Sequence, residues 1–344
     1  MTTNSTPRST RLRRSVSLTA IAAAAAILPT AVSAQTITST TSTANTNTTT
    51  TKTVVTKPKL PVAVKSIISD GRTEVVEVKD VSRIVVLNGD VNEILYALGL
   101  GDNIVANDIT GYYPAESEKK TKIGYQRSLS AEGILAQKPS LIIGNTDAGP
   151  YSTMAQLRSS GVPVVIVAAG DDVYDAPKKI RQVGIAVGLA DAGDALGDKT
   201  ESQLRSVQKK WSSALNRYEP RAAFLYLRGA RTQLLGGSGT RANAMLLAAG
   251  ATDAGAFFAG VTGYVPITSE SLVLANPDVI VVLDAGMESV GGKDGVLKLP
   301  GVALTKAGQN KRVLSFDDLK LLELGPRTPE ALNELITALY PSTK

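Results

Sequence analysis

Residues Gly124–Asn145 read GYQRSLSAEGILAQKPSLIIGN, and residues Gly263–Asp284 read GYVPITSESLVLANPDVIVVLD. Both run from Gly-Tyr through a short polar stretch to a Ser or Thr, a glutamate two residues on, an apolar helix, a proline and a β-branched strand. Glu132 and Glu270 each precede their proline, Pro139 and Pro277, by seven residues, and the first copy holds one extra residue before the helix. An acid in the first turn of a helix complements the dipole and caps free amides. That chemistry explains one such glutamate well and two matched ones only in part. The echo predicts two halves built alike.

The surrounding chain has the same texture. RIVVLNG (Arg83–Gly89) is a short apolar run ended by a turn residue, the mark of a buried strand. DVNEILYALGLG follows as a helix, with Asp90 as its expected N-cap. NIVANDI, SLIIGN and VPVVIVAA are further strand-like runs separated by helical stretches. After Pro220 the alternation returns in AAFLYLRG, DVIVVLD and RVLSF. Strands alternating with helices imply a parallel or mixed sheet covered on both faces. Between the halves, DALGDKTESQLRSVQKKWSSALNRYE (Asp194–Glu219) has no proline and one glycine. Leu204, Val207, Trp211, Leu215 and Tyr218 share one helical face of it. The expectation is an α/β protein of two Rossmann-like lobes, residues 61–190 and 220–344, joined by one long rigid helix over 191–219.

The N-terminus reads as a targeting segment. Arg8, Arg11, Arg13 and Arg14 precede a short apolar core and Val32-Ser33-Ala34, so residues 1–34 are expected to be a signal peptide cleaved after Ala34. An apolar stretch this short falls below the roughly 20 residues of a membrane span. The chain has no cysteine, which excludes disulfides and a lipid anchor of the lipobox type. A Thr-rich leader, residues 35–60, then lacks the apolar content to offset its ordering entropy. Loss of the four signal arginines takes the formal charge from +6 to +2. That leaves no electrostatic case for nucleic acid. A periplasmic protein without a membrane anchor is expected.

Composition also removes most catalytic chemistry. With no histidine there is no Ser-His-Asp triad, and with neither histidine nor cysteine no ordinary zinc site. Gly237, Gly239 and Ala242 in GGSGTRA fit G-x-G-x-x-A, but that motif normally opens the first βαβ unit, and no strand ending in an acid follows at the right distance. A secreted nucleotide-dependent enzyme using that loop is the rival from a different class. DITGYYPAESEKK (Asp108–Lys120) raises a separate question, because Tyr112 and Tyr113 stand together before Pro114. On their own residues they read as loop aromatics packing on a surface.

From about Arg83 to the C-terminus the chain resembles the periplasmic haem-binding proteins of haem-uptake ABC importers. GYQRSLSAEGIL and GGKDGVLKLPGVALTKAG carry the likeness most specifically. The resemblance implies a non-enzymatic, monomeric carrier with a ligand cleft between its lobes, ferric haem b as its transported ligand, and an inner-membrane ABC permease dimer as its partner. It makes Tyr113, in D-x-T-x-x-Y-P, the axial ligand to the haem iron. Ferric iron is a hard cation that suits a phenolate oxygen. Arg127, and less directly Arg241 and Arg231, become partners for the haem propionates, with Tyr112 and Tyr125 as pocket aromatics. Glu132 and Glu270 become the docking acids for the permease. Family members that hold a second haem through a histidine find no counterpart here. A ferric-siderophore or corrinoid carrier of the same fold is the nearer rival.

Overall fold

The computed structural model describes residues 57–69, 71–215 and 218–340. The expected signal peptide and nearly all of the leader lie outside the described residues. An antiparallel hairpin comes first, β1 (Val62–Ser69) and β2 (Arg72–Val78). Sequence reading passed over it, although alternating Val and charged residues around Asp70-Gly71 carry a hairpin signal. The Ser66 hydroxyl of β1 donates to Val164 O at 3.1 Å and accepts from Ile166 N at 3.0 Å, fastening the hairpin to the neighbouring sheet.

The N-terminal lobe proper contains β3 (Ile84–Val86), α1 (Gly89–Ala97), β4 (Ile104–Asn107), β5 (Thr121–Lys122), α2 (Ala131–Leu135), β6 (Leu141–Asn145), α3 (Tyr151–Arg158), β7 (Val164–Val167) and α4 (Asp175–Ala186). Its five strands are all parallel, in the order β5-β4-β3-β6-β7. A parallel sheet is covered on both faces, so its strands are apolar throughout. Ile84, Val86, Leu141, Ile143, Val165 and Val167 enter one core, while Val85, Leu87, Ile142, Val164 and Ile166 enter another. The alternation follows from the two-residue period of a strand.

Helix α5 (Ala190–Leu215) runs 26 residues, about 39 Å at 1.5 Å per residue. Ala192 and Leu196 pack on the N-terminal core, and Leu204, Val207 and Trp211 on the C-terminal one. The helix thus joins the lobes, as its position between the two α/β halves predicts. α4 and α5 pass closely because Gly184 faces Gly193; a Cβ on Gly184 would lie 2.6 Å from the Gly193 Cα. Tyr218 falls beyond the helix, with its ring edge-on to Tyr340.

The C-terminal lobe follows with β8 (Arg221–Arg228), β9 (Thr232–Gly236), α6 (Arg241–Ala248), β10 (Thr252–Asp253), α7 (Ala254–Phe257), β11 (Tyr264–Pro266), α8 (Ser269–Ala275) and β12 (Val279–Leu283). Then come α9 (Asp284–Ser289), α10 (Gly292–Leu297), α11 (Lys306–Gln309), β13 (Val313–Phe316), α12 (Asp318–Leu322) and α13 (Thr328–Leu339). Its sheet is mixed, ordered β11-β9-β8-β12-β13 with β10 beside β8. Phe224, Val279 and Val281 face one core, and Leu225, Ile280 and Val282 the other. The echoed segments become α2–β6 and α8–β12, the same unit once in each lobe. Among the described residues no helix is long and apolar enough to cross a membrane.

Candidate functional site

Open α/β sheets bind ligands beyond the carboxyl ends of their strands. Both lobes turn those ends towards one cleft of about 1420 Å³. From the N-terminal lobe, the loop after β4 brings Thr110 and Tyr112, the stretch before α2 brings Tyr125 to Arg127, and the turn after β6 brings Asp147. From the C-terminal lobe, β8 brings Tyr226 and Arg228, the β9–α6 loop brings Thr240 and Arg241, and the end of β13 brings Asp317 and Asp318. Tyr264 and Glu323 complete the wall. Ordinary small-molecule sites occupy about 300–1,000 Å³, so this cleft suits a large ligand.

The wall holds seven carboxylates against five cations, and every one of those cations is paired. Arg127 Nη2 lies 2.9 Å from Asp147 Oδ1. Arg241 meets Asp147 and, at 3.6 Å, Glu323. Arg228 pairs with Asp318, and its guanidinium lies 4.7 Å from the centre of the Tyr226 ring. Lys178 pairs with Asp175 at 2.8 Å. Lys179 pairs with Asp90 in the interior, where both are almost wholly buried and Asn145 donates to each Asp90 oxygen at 2.8–2.9 Å. Asp90 therefore is no N-cap: the α1 cap position belongs to Asn88, and the Asp90 carboxylate neutralises a buried lysine. Burial, reinforced by Asp90, pushes the Glu323 carboxyl above the ordinary carboxylate range, and Arg241 opposes the shift. Burial likewise raises Asp318 and Tyr226, in each case against the pull of Arg228.

Tyr112, Tyr125, Arg127 and Arg241, all expected from sequence, come together on the cleft wall. Tyr113 does not line it. Neighbouring residues in non-helical backbone project to opposite sides, and here Tyr112 takes the cleft side. The Tyr112 hydroxyl donates to Asp317 Oδ2 at 2.9 Å and accepts from Leu319 N at 2.9 Å. Burial pushes that phenol well above its usual range. Tyr113 is 41% exposed, its ring under the Arg327 guanidinium at 3.6 Å and its carbonyl accepting from Asn92. Among the described residues its hydroxyl makes no hydrogen bond. Arg231 is also off the wall: it sits exposed in the β8–β9 turn, three residues past Arg228, which faces the cleft in its place. Tyr226, Arg228, Asp147 and Glu323 were missed by sequence reading. A Tyr-x-Arg at the carboxyl end of a strand was the available signal for the first two.

Glu132 and Glu270 are exposed in the first turns of α2 and α8. The amide caps come from Ser130, which accepts from Gly133 N, and Thr268, which accepts from Ser271 N. Neither glutamate forms an ion pair among the described residues. GGSGTRA does lie between a strand and a helix, but β9 runs antiparallel to β8, so it opens no βαβ unit.

Two α/β lobes joined by one helix, with strand ends converging on a shared cleft, define a ligand-binding protein of the two-lobed type. The chain belongs to the periplasmic binding protein family, which matches residues 84–318; its members bind substrates and are not enzymes. Among solved structures it is similar to the periplasmic heme-binding protein RhuT from Roseiflexus sp. RS-1 in apo form. That likeness has 42% identity and a TM-score of 0.73, over 77% of this chain and all of that one. The chain is 30% identical to the uncharacterized ABC transporter substrate-binding lipoprotein YvrC of Bacillus subtilis, over 77% of this chain and 82% of that protein. A shorter likeness, 30% over 101 residues, links it to the vitamin B12-binding protein of Pectobacterium carotovorum, covering 29% of this chain and 36% of that one.

Proposed function

We propose that this protein captures ferric haem in the inter-lobe cleft, in the periplasm, and delivers it to the permease dimer of an ABC importer. The observation that carries the reading is the cleft itself: about 1420 Å³, walled by four tyrosines and by arginines from both lobes. Flat aromatic walls suit the faces of a tetrapyrrole, and arginines suit its propionates through charge-assisted, forked hydrogen bonds. The likeness to RhuT points the same way.

The axial phenolate comes from Tyr113. Among the described residues its hydroxyl makes no hydrogen bond, and the residue is partly exposed one position from the cleft wall, whereas the Tyr112 oxygen already serves two partners and resists ionisation. Reaching the cleft requires Tyr113 to leave its stack against Arg327. A phenolate favours ferric iron, which suits capture and release. Arg127 and Arg241 receive propionates, and Tyr125, Tyr226 and Tyr264 supply ring contacts. Glu132 and Glu270, one on each lobe, dock to the permease. A corrinoid is the second reading, favoured by the likeness to vitamin B12-binding protein. Parallel equilibrium titrations with ferric haem and cyanocobalamin separate the two. Tight haem binding with a Soret shift and weak cobalamin binding are expected; the reverse order would replace haem with the corrinoid.

A further inference from the structure

Asp147 lies on the turn leaving β6 and faces two arginines, one from each lobe. Its Oδ1 accepts from Arg127 Nη2 at 2.9 Å, and its Oδ2 lies against Arg241 Nη2. Its own amide donates to Asn145 Oδ1 at 2.8 Å, which holds the turn in place. Yet neither Asp147 Oδ2 nor Glu323 Oε2, both beside Arg241, accepts an aligned hydrogen bond. The Arg241 hydrogen bonds run instead to the carbonyl oxygens of Gly170, at 3.2 Å, and Leu322, at 3.3 Å. Arg241 thus meets the two carboxylates through different nitrogens, Asp147 through Nη2 and Glu323 through Nη1, so neither is held in the parallel fork that makes an arginine–carboxylate pair strong.

We propose that Asp147 is an internal competitor for a ligand carboxylate: it holds the seat between Arg127 and Arg241, and a carboxylate-bearing ligand enters by displacing it from both guanidiniums. The proposal rests on the haem reading and deepens it by stating which part of the ligand is selected. Exchange of one carboxylate for another keeps both arginines compensated. An amide or an ester cannot repay the loss of Asp147, so the seat favours propionate-bearing tetrapyrroles over amidated corrinoids. The acidic wall adds to this, since an anion that entered without displacing Asp147 would meet seven carboxylates. Asp147 thus sets the cost of entering the seat, while the two arginines set the choice of a carboxylate over an amide or ester.

The test titrates ferric haem and its dimethyl ester into the full chain, wild type and variants. Asp147→Asn removes the competing charge and should bind haem about tenfold tighter, with ester affinity unchanged. Arg241→Gln should shrink the preference for haem over its ester, and adding Arg127→Gln should abolish it. Thermal melting confirms folding, and Asp147→Ser serves if the asparagine variant is unstable. Unchanged haem affinity in the Asp147 variants, or equal changes for haem and ester, overturns the competitor role while leaving the haem reading intact. If wild type binds neither ligand, the haem reading fails and the proposal fails with it.

Discussion

Tyr112 reaches from the N-terminal lobe to Asp317 of the C-terminal lobe, its hydroxyl donating to the carboxylate and accepting from Leu319 N, both at 2.9 Å. The side chain is thus a tie across the cleft, and its oxygen is spoken for. Tyr112→Phe removes two hydrogen bonds and should cost about 1–2 kcal/mol, read from the urea midpoint. The haem spectrum should not change. A lost charge-transfer band in this variant would make Tyr112 the ligand instead.

Asp108, just upstream, gives the chain a pH signature. It is fully buried, with both oxygens near the Thr110 hydroxyl and one accepting from the Thr110 amide. Burial raises its carboxyl from 3.8 to about 7. Between those values the folded state holds a proton that the unfolded state releases. The stabilisation from this group is therefore complete below about pH 4 and lost as pH rises through 7. Asp108→Asn removes the effect. From pH 5 to 7 the stability difference should shift in the variant's favour by up to about 1.4 kcal/mol per pH unit. Urea unfolding at several pH values measures it, and a difference independent of pH contradicts the assignment.

Much of the fold was legible because parallel strands buried on both faces leave unbroken apolar runs, as in Leu141–Asn145 and Val279–Leu283. The α5 face through Leu204, Val207 and Trp211 was legible from a different pattern, the i, i+3, i+4 spacing of a helix with one buried side. The β1–β2 hairpin was not, because its strands are half-exposed and follow a low-complexity leader. In the site, Tyr125 and Arg127 came from the GYQRSLS stretch, and Arg241 from its place at the start of a helix. Arg228 and Arg231 could not be told apart, because three residues separate the cleft-facing end of a strand from the tip of its turn. Nor does any local pattern reveal that Asp147 meets Arg241, 94 residues away in sequence.

Glu132 and Glu270 begin the same helix in each lobe, with capping left to Ser130 and Thr268. Replacing both by alanine should cost only about 0.3–1 kcal/mol each and leave haem affinity unchanged. Delivery to the reconstituted importer should fall sharply, since two linked contacts reinforce each other through effective concentration. Transport measured at matched amounts of haem-loaded protein decides this. Wild-type delivery by the double variant would remove the docking role.

The central claim is that the Tyr113 phenolate holds ferric haem in the cleft. Its most direct measurement is the visible absorption of ferric haem bound to wild type and to Tyr113→Phe, Tyr112→Phe and Tyr226→Phe. The predicted result is a phenolate-to-iron charge-transfer band in wild type, kept in Tyr112→Phe and Tyr226→Phe and abolished in Tyr113→Phe, with haem affinity lowered in that variant alone. A band that survives Tyr113→Phe, or that disappears in Tyr226→Phe, would contradict it.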